Sequence, residues 1–158
     1  NGRLNGLSAI KFGPDDGMTR GMLVQVLYRM SGSKAASTAQ FTDVADGKWY
    51  AEAIAWASEN GIVNGFTDGR FQPDTLITRQ QLAAILYRYD TYRGHTPQGS
   101  AALDGYADAA SVESWAAEAM SWANGNGLVT GVTPTTLVPD GTGTRDQEAV
   151  ILSRYTDQ

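Results

Sequence analysis

The sequence has no cysteine and a single histidine, so disulfide cross-links and thiolate metal sites are both excluded, and stability has to come from packing. Basic residues are also sparse. Twelve Lys and Arg against seventeen Asp and Glu give a formal net charge of -5 and a pI near 4.7. That balance argues against the broad basic footprint needed for nucleic acid or an anionic membrane surface, so any anionic ligand has to be held locally. No apolar run approaches the length of a membrane span. No charged-then-apolar leader opens the chain at Asn1, which places any export signal outside these 158 residues. Catalytic constellations are missing too: the carboxylates do not recur in a cleft-like setting with a partner, and His95 lies in a polar stretch with no acidic or cysteine neighbour in the sequence. The Asp-rich segments TDVADG and FTDGRFQPD lack the ligand spacing of a calcium loop. The sequence predicts neither an enzyme nor a cofactor or metal site.

What the chain does contain is a repeat. FQPDTLITRQQLAAILYRY, from Phe71 to Tyr89, recurs upstream as FGPDDGMTRGMLVQVLYRM from Phe12 and downstream as LVPDGTGTRDQEAVILSRY from Leu137, at offsets of 59 and 66 residues. A second block, WYAEAIAWASENGIVNG from Trp49, recurs as WAAEAMSWANGNGLVTG from Trp115, again 66 residues later.

Both blocks carry helical spacing. In the first, Trp49, Ala53, Trp56 and Tyr50, Ile54, Ala57 share faces, with Gly61 and Gly127 as stop signals. In the second, Leu82, Ile85, Leu86 and Tyr89 line one face, matched by Leu23, Val26, Leu27 and Met30. The third copy has Glu148 in place of Leu82, and its inner face is expected to lean on Val150, Ile151, Leu152 and Tyr155. Pro-Asp pairs at Pro14, Pro73 and Pro139 mark turns, and polar linkers run over 32–40 and 94–102. The expected fold is all-α with long ordered loops. The first copy is incomplete: NGRLNG at 1–6 aligns with NGIVNG at 60–65, so the first helix of that copy is absent. Leu23, Val26 and Leu27 are then expected to face an uncovered groove, filled by an upstream segment or a second chain.

Each second helix opens with Thr-Arg, at Thr19-Arg20, Thr78-Arg79 and Thr144-Arg145. Thr is a good cap, and Gln81 and Gln147 three residues on complete capping boxes, whereas Met22 in the first copy leaves that box out. Arginine at the first helical position sits against the positive end of the helix dipole, which costs a few tenths of a kcal/mol, so its threefold recurrence requires a compensating role. One role is an anion site made of the guanidinium and the free backbone donors of the helix start. The other is a salt bridge to Asp15, Asp74 or Asp140. Trp49 and Trp115, at the starts of first helices, are candidate sugar platforms as well as packing residues, while Trp56 and Trp122 read as core.

The order FTDV, then WYAEAIAWASENGIVNGF, then GRFQPDTLITRQQLAAILYRY resembles the S-layer-homology motif, and the similarity covers nearly the whole chain. The resemblance implies a single domain over 1–158, with a partial first motif at 1–33, a second at 34–97 and a third at 98–158. It implies a pseudo-threefold trimer of motifs with a central helical bundle, helix-loop prongs and ligand clefts between adjacent motifs. It further implies an extracellular module attached non-covalently to a secondary cell-wall polysaccharide, often one carrying ketal-linked pyruvate. The family's Thr-Arg-Ala-Glu signature maps onto Thr19-Arg20-Gly21-Met22, Thr78-Arg79-Gln80-Gln81 and Thr144-Arg145-Asp146-Gln147, keeping the Arg three times and the Glu never. The implied ligand residues are Arg20, Arg79, Arg145, Thr19, Thr78, Thr144, Trp49 and Trp115. The competing reading is an extracellular protein-interaction module that uses the same scaffold to bind an upstream domain, another chain or a host surface component.

Overall fold

The structure, a computed structural model, describes residues 17–32, 41–44, 50–63, 69–95, 103, 105–129, 136–142 and 145–156, the side chains of 145–148 excepted. It is all-α over these residues. The helices are α1 (Arg20–Ser31), α2 (Ala51–Glu59), α3 (Arg79–Tyr92), α4 (Ala117–Gly125) and α5 (Arg145–Thr156), with short 3₁₀ turns at Ala109–Ser111 and Ser114–Ala116. The described residues contain no strand, only an isolated bridge between Thr19 and Leu76. The chain forms two compact units that divide at Leu76/Ile77. The repeats do not coincide with these units: each unit joins the second helix of one copy to the first helix and loop of the next.

In the unit ending at Leu76, α1 packs on α2. The apolar stripe of α1 is buried, with Leu23, Val26 and Leu27 at 0, 1 and 0 % exposure, and Met30 at its edge half-buried. The open groove expected here is therefore absent. Helix α2 of the following copy packs on α1 with Ile54, Ala57 and Trp56 buried, and the Trp56 indole lies 5.4 Å from the Tyr28 ring. Helix α2 ends as its sequence predicts. Gly61 adopts φ 73°, its N–H donates to Ser58 O (3.2 Å), and Ile62 N–H donates to Ala57 O (2.8 Å), which together form a Schellman closure.

The second unit repeats this construction. Helix α3 packs on α4 and on the turn before it, burying Leu82, Ile85, Leu86 and Tyr89, and Tyr87 meets Trp122 edge-on at 5.5 Å. Gly127 (φ 71°) closes α4 with the same bonds, Gly127 N–H to Asn124 O (3.1 Å) and Leu128 N–H to Ala123 O (2.8 Å). Helix α5 contributes Ile151, Leu152 and Tyr155 to this core. Val150 does not follow them; it is 48 % exposed, because its position falls off the face shared by 151, 152 and 155.

His95 does have an acidic partner, contrary to the sequence reading. After α3 the chain turns back at Gly94 (φ 88°), His95 N–H donates to Asp90 O, and the imidazole Nδ1 comes within 3.0 Å of Asp90 Oδ1. The same buried carboxylate accepts from Tyr155 Oη–H at 2.9 Å, and Arg93 Nη1 donates to the phenol oxygen at 3.3 Å. Burial pushes the Tyr155 phenol well above its ordinary value of 10, so it stays a donor at any working pH. Tyr155→Phe removes one bond from a buried carboxylate and is expected to cost about 1–3 kcal/mol in urea denaturation. Val150→Ala at the exposed position is expected to stay within about 0.5 kcal/mol. Equal losses would show that the Asp90 cluster is not coupled to the core.

A candidate site at the docked helix starts

A helix start leaves its first N–H groups without partners inside the helix. In α3, Thr78 Oγ1 accepts from Gln81 N–H (3.2 Å), and Gln81 Oε1 accepts in return from Thr78 N–H (3.0 Å), which completes the predicted capping box. The two N–H groups before it go to the Pro139 turn: Arg79 N–H to Gly141 O and Gln80 N–H to Pro139 O, both at 3.0 Å. In α1 the corresponding bonds are Arg20 N–H to Thr75 O and Gly21 N–H to Pro73 O, both at 2.9 Å, with Met22 N–H on Thr19 Oγ1 at 3.1 Å. The acceptors are 66 residues apart in the two units, as the repeat requires. Met22 also supplies the return half of the box, its sulfur accepting from Thr19 N–H at 3.4 Å. The box read as missing is thus present, closed by a thioether, which is a weak acceptor.

These bonds correct the anion site drawn from the sequence. The backbone donors at the helix start are not free; loop carbonyls occupy them. The arginine takes part in the same docking, because Arg20 Nε–H donates to Phe71 O (3.0 Å) and Arg79 Nε–H donates to Leu137 O (2.8 Å). A charge-assisted bond of this kind, worth about 1.5–3 kcal/mol, offsets the unfavourable place in the helix dipole. The Nε partner is a carbonyl and not an aspartate: Asp140 Oδ1 instead receives Gln80 Nε2–H at 2.5 Å, Asp74 is exposed, and Asp15 lies outside the described residues. Gln80 is itself buried and accepts from Glu113 N–H at 2.9 Å, tying the helix start to the segment that carries Trp115.

The two described arginines are not equivalent. Arg20 is 7 % exposed, its guanidinium 4.7 Å above the Phe71 ring, whereas Arg79, opposite Leu137, is half-buried. Trp115 is 51 % exposed, while Trp56 and Trp122 are core, as read. Trp49, Thr144 and the side chain of Arg145 lie outside the described residues.

Asp43 and Asp108 were missed by the sequence reading. Asp43 accepts Phe71 N–H and Gln72 N–H on its two oxygens, and Asp108 accepts Leu137 N–H and Val138 N–H, all at 2.8 Å. The signal was available as an aromatic-x-Asp pattern, Phe41-Thr42-Asp43 and Tyr106-Ala107-Asp108, at an offset of 65 residues. The N–H groups of Leu137 and Val138, and to a smaller extent the Arg79 charge, hold the Asp108 carboxyl below its ordinary 3.8.

The family model of the S-layer homology domain matches residues 40–83 and 105–147, the two complete copies of the repeat and more than half the chain. The chain belongs to the S-layer homology domain family. It is a cell-surface anchoring module of extracellular, wall-associated location. An endoglucanase of Bacillus sp. (strain KSM-635) is 33 % identical over 95 % of this chain and 16 % of that protein. The surface-layer 125 kDa protein of Lysinibacillus sphaericus is 32 % identical over 90 % of the chain and 12 % of its own length. The cellulosome-anchoring protein of Acetivibrio thermocellus is 26 % identical over 98 % of the chain and 35 % of its length. The S-layer homology module thus spans about a third or less of these relatives, and the endoglucanase activity belongs to a protein of which it matches only a small part.

Because the Asp108 carboxyl is depressed in the fold, it contributes stability above its unfolded value, and that contribution is lost as pH falls through the folded value. The stability difference between the natural chain and Asp108→Asn is expected to be constant near neutrality and to shrink as pH drops below 3.8. Urea denaturation across that range reads it. A difference that grows in acid contradicts the assignment.

Proposed function

We propose that this S-layer homology module anchors the protein that carries it by holding an anionic secondary cell-wall polysaccharide non-covalently, with Arg79 and Arg145 as the cations. The observation that carries the reading is the recurrence of an arginine pinned at a helix start through its Nε. An arginine held in this way presents its guanidinium with little rotamer freedom left to lose on binding, which favours gripping a carboxylate such as a pyruvyl group. With the backbone donors occupied, the grip falls to the guanidinium alone. Thr78 acts as a cap and Arg20 as a buried staple, so neither is assigned to the polymer; Arg79 is, and Arg145 by the repeat. Trp115, half exposed, is assigned as an apolar platform for a pyranose face. The surface-layer and cellulosome-anchoring relatives support the assignment of a wall partner. Two cations on one chain add avidity to individually weak contacts.

The test is co-sedimentation with purified bacterial sacculi, before and after acid extraction of the secondary polymer, using the natural chain and the Arg79→Ala/Arg145→Ala double variant, each checked for folding by its melting temperature. Binding is expected to fall at least about tenfold on extraction and in the folded variant. Undiminished binding in the folded variant would rule out the arginines as the polymer contacts, and failure of the natural chain to bind intact walls would point to a protein partner.

A further inference from the structure

Two residues in the described chain other than glycine adopt a left-handed backbone conformation, Gln72 (φ 60°) and Val138 (φ 51°), and they occupy the same position in the repeat. For a β-branched residue this conformation is strained and persists only where neighbouring contacts over-determine it. In both units the same contacts surround it. An aspartate grips the N–H of the residue and the N–H before it, and the carbonyl before it accepts from an arginine Nε. A Pro-Asp turn then follows, closed by Gly141 N–H on Val138 O (2.9 Å) in one unit and Thr75 N–H on Gln72 O (3.2 Å) in the other. The turn carries the two carbonyls that receive the helix start. Gly141 fits the crowding around Val138, since a Cβ there would lie 3.1 Å from Val138 O and closer still to its Cγ1.

From this arrangement we infer that Asp108 is a positioning residue for Arg79: by holding Val138 in its left-handed conformation it aims Leu137 O at the Arg79 Nε and so fixes the guanidinium for its ligand. The inference rests on the polymer reading of Arg79 but acts one step behind it, since Asp108 itself spends both oxygens on the backbone. Asp43 serves Arg20 in the same way, and there the product is a buried staple. The arrangement predicts that what Asp108 supplies can be replaced by removing the strain. Glycine enters the left-handed region without steric penalty, so Val138→Gly lowers the need for the carboxylate clamp.

The experiment compares the natural module with Asp108→Ala, Asp108→Asn, Val138→Gly and the Asp108→Ala/Val138→Gly double variant. It reads the Arg79 Nε–Hε resonance and its solvent exchange by NMR, the melting temperature, and binding to intact sacculi. In Asp108→Ala the Arg79 Hε is expected to lose its protection and wall affinity to fall about tenfold. Asp108→Asn, which keeps one acceptor oxygen, is expected to fall between. In the double variant Val138→Gly restores the Hε resonance and most of the affinity. An Arg79 Hε that stays protected in folded Asp108→Ala overturns the inference, as does a folded double variant in which the resonance is not restored. An Hε that responds as expected while wall binding stays constant upholds the positioning and overturns the polymer reading of Arg79.

Discussion

The docking of a helix start onto the loop of the following repeat is the interaction on which the rest of this module depends. A helix of twelve or fourteen residues such as α1 or α3 would be marginal alone, with its first donors open to water and an arginine placed against its dipole. Both difficulties have the same solution. A Pro-Asp turn supplies two carbonyls for the first two N–H groups, the preceding residue supplies a third carbonyl for the arginine, and the Thr cap serves the next donor. The loop is held in turn by an aspartate from its own repeat, which compensates the left-handed residue it needs.

That exchange explains why the repeat and the compact unit are out of step. Neither of the first two copies completes its own second helix, because the acceptors for Arg20, Gly21, Arg79 and Gln80 lie in the next copy. The apolar stripes follow the same logic: Leu23, Val26 and Leu27 are buried in the unit formed with α2, and Leu82, Leu86 and Tyr89 in the unit formed with α4 and α5. A module built this way couples neighbouring repeats through polar and apolar contacts at once, and Arg20 and Arg79 are each placed by the loop of the copy after it.

Periodicity made the helices, their Schellman stops and most of the core legible in the sequence. Leu82, Ile85, Leu86 and Tyr89 are separated from their surroundings by apolar spacing alone, and Gly61 and Gly127 by their place at the end of a helical stripe. Contacts between copies were less legible, because a hydrogen bond to a backbone carbonyl leaves no mark on the identity of the acceptor. The free donors expected at each helix start, and the groove expected over Leu23, both came from treating a copy as if it stood alone. Met22 was set aside because sulfur is seldom counted as an acceptor, and Val150 was grouped with its neighbours although it sits off their face. His95 was separated from Asp90 by a turn that only the backbone at Gly94 reveals. Asp43 and Asp108 were within reach, since their spacing follows the repeat, but Asp43 stands in a segment weighed only as a possible calcium loop, and Asp108 lies outside the blocks that were aligned.

The amides of Arg20, Gly21, Arg79 and Gln80 offer the most direct measurement of the docking. In an ordinary helix the first-turn amides face water and exchange rapidly. Here each donates to a loop carbonyl at 2.9–3.0 Å. Native-state hydrogen exchange by NMR is therefore predicted to find these four amides protected to the same degree as amides in the middle of α1 and α3. Exchange at the rate of an unstructured peptide would contradict the docking, and with it the placement of the arginines.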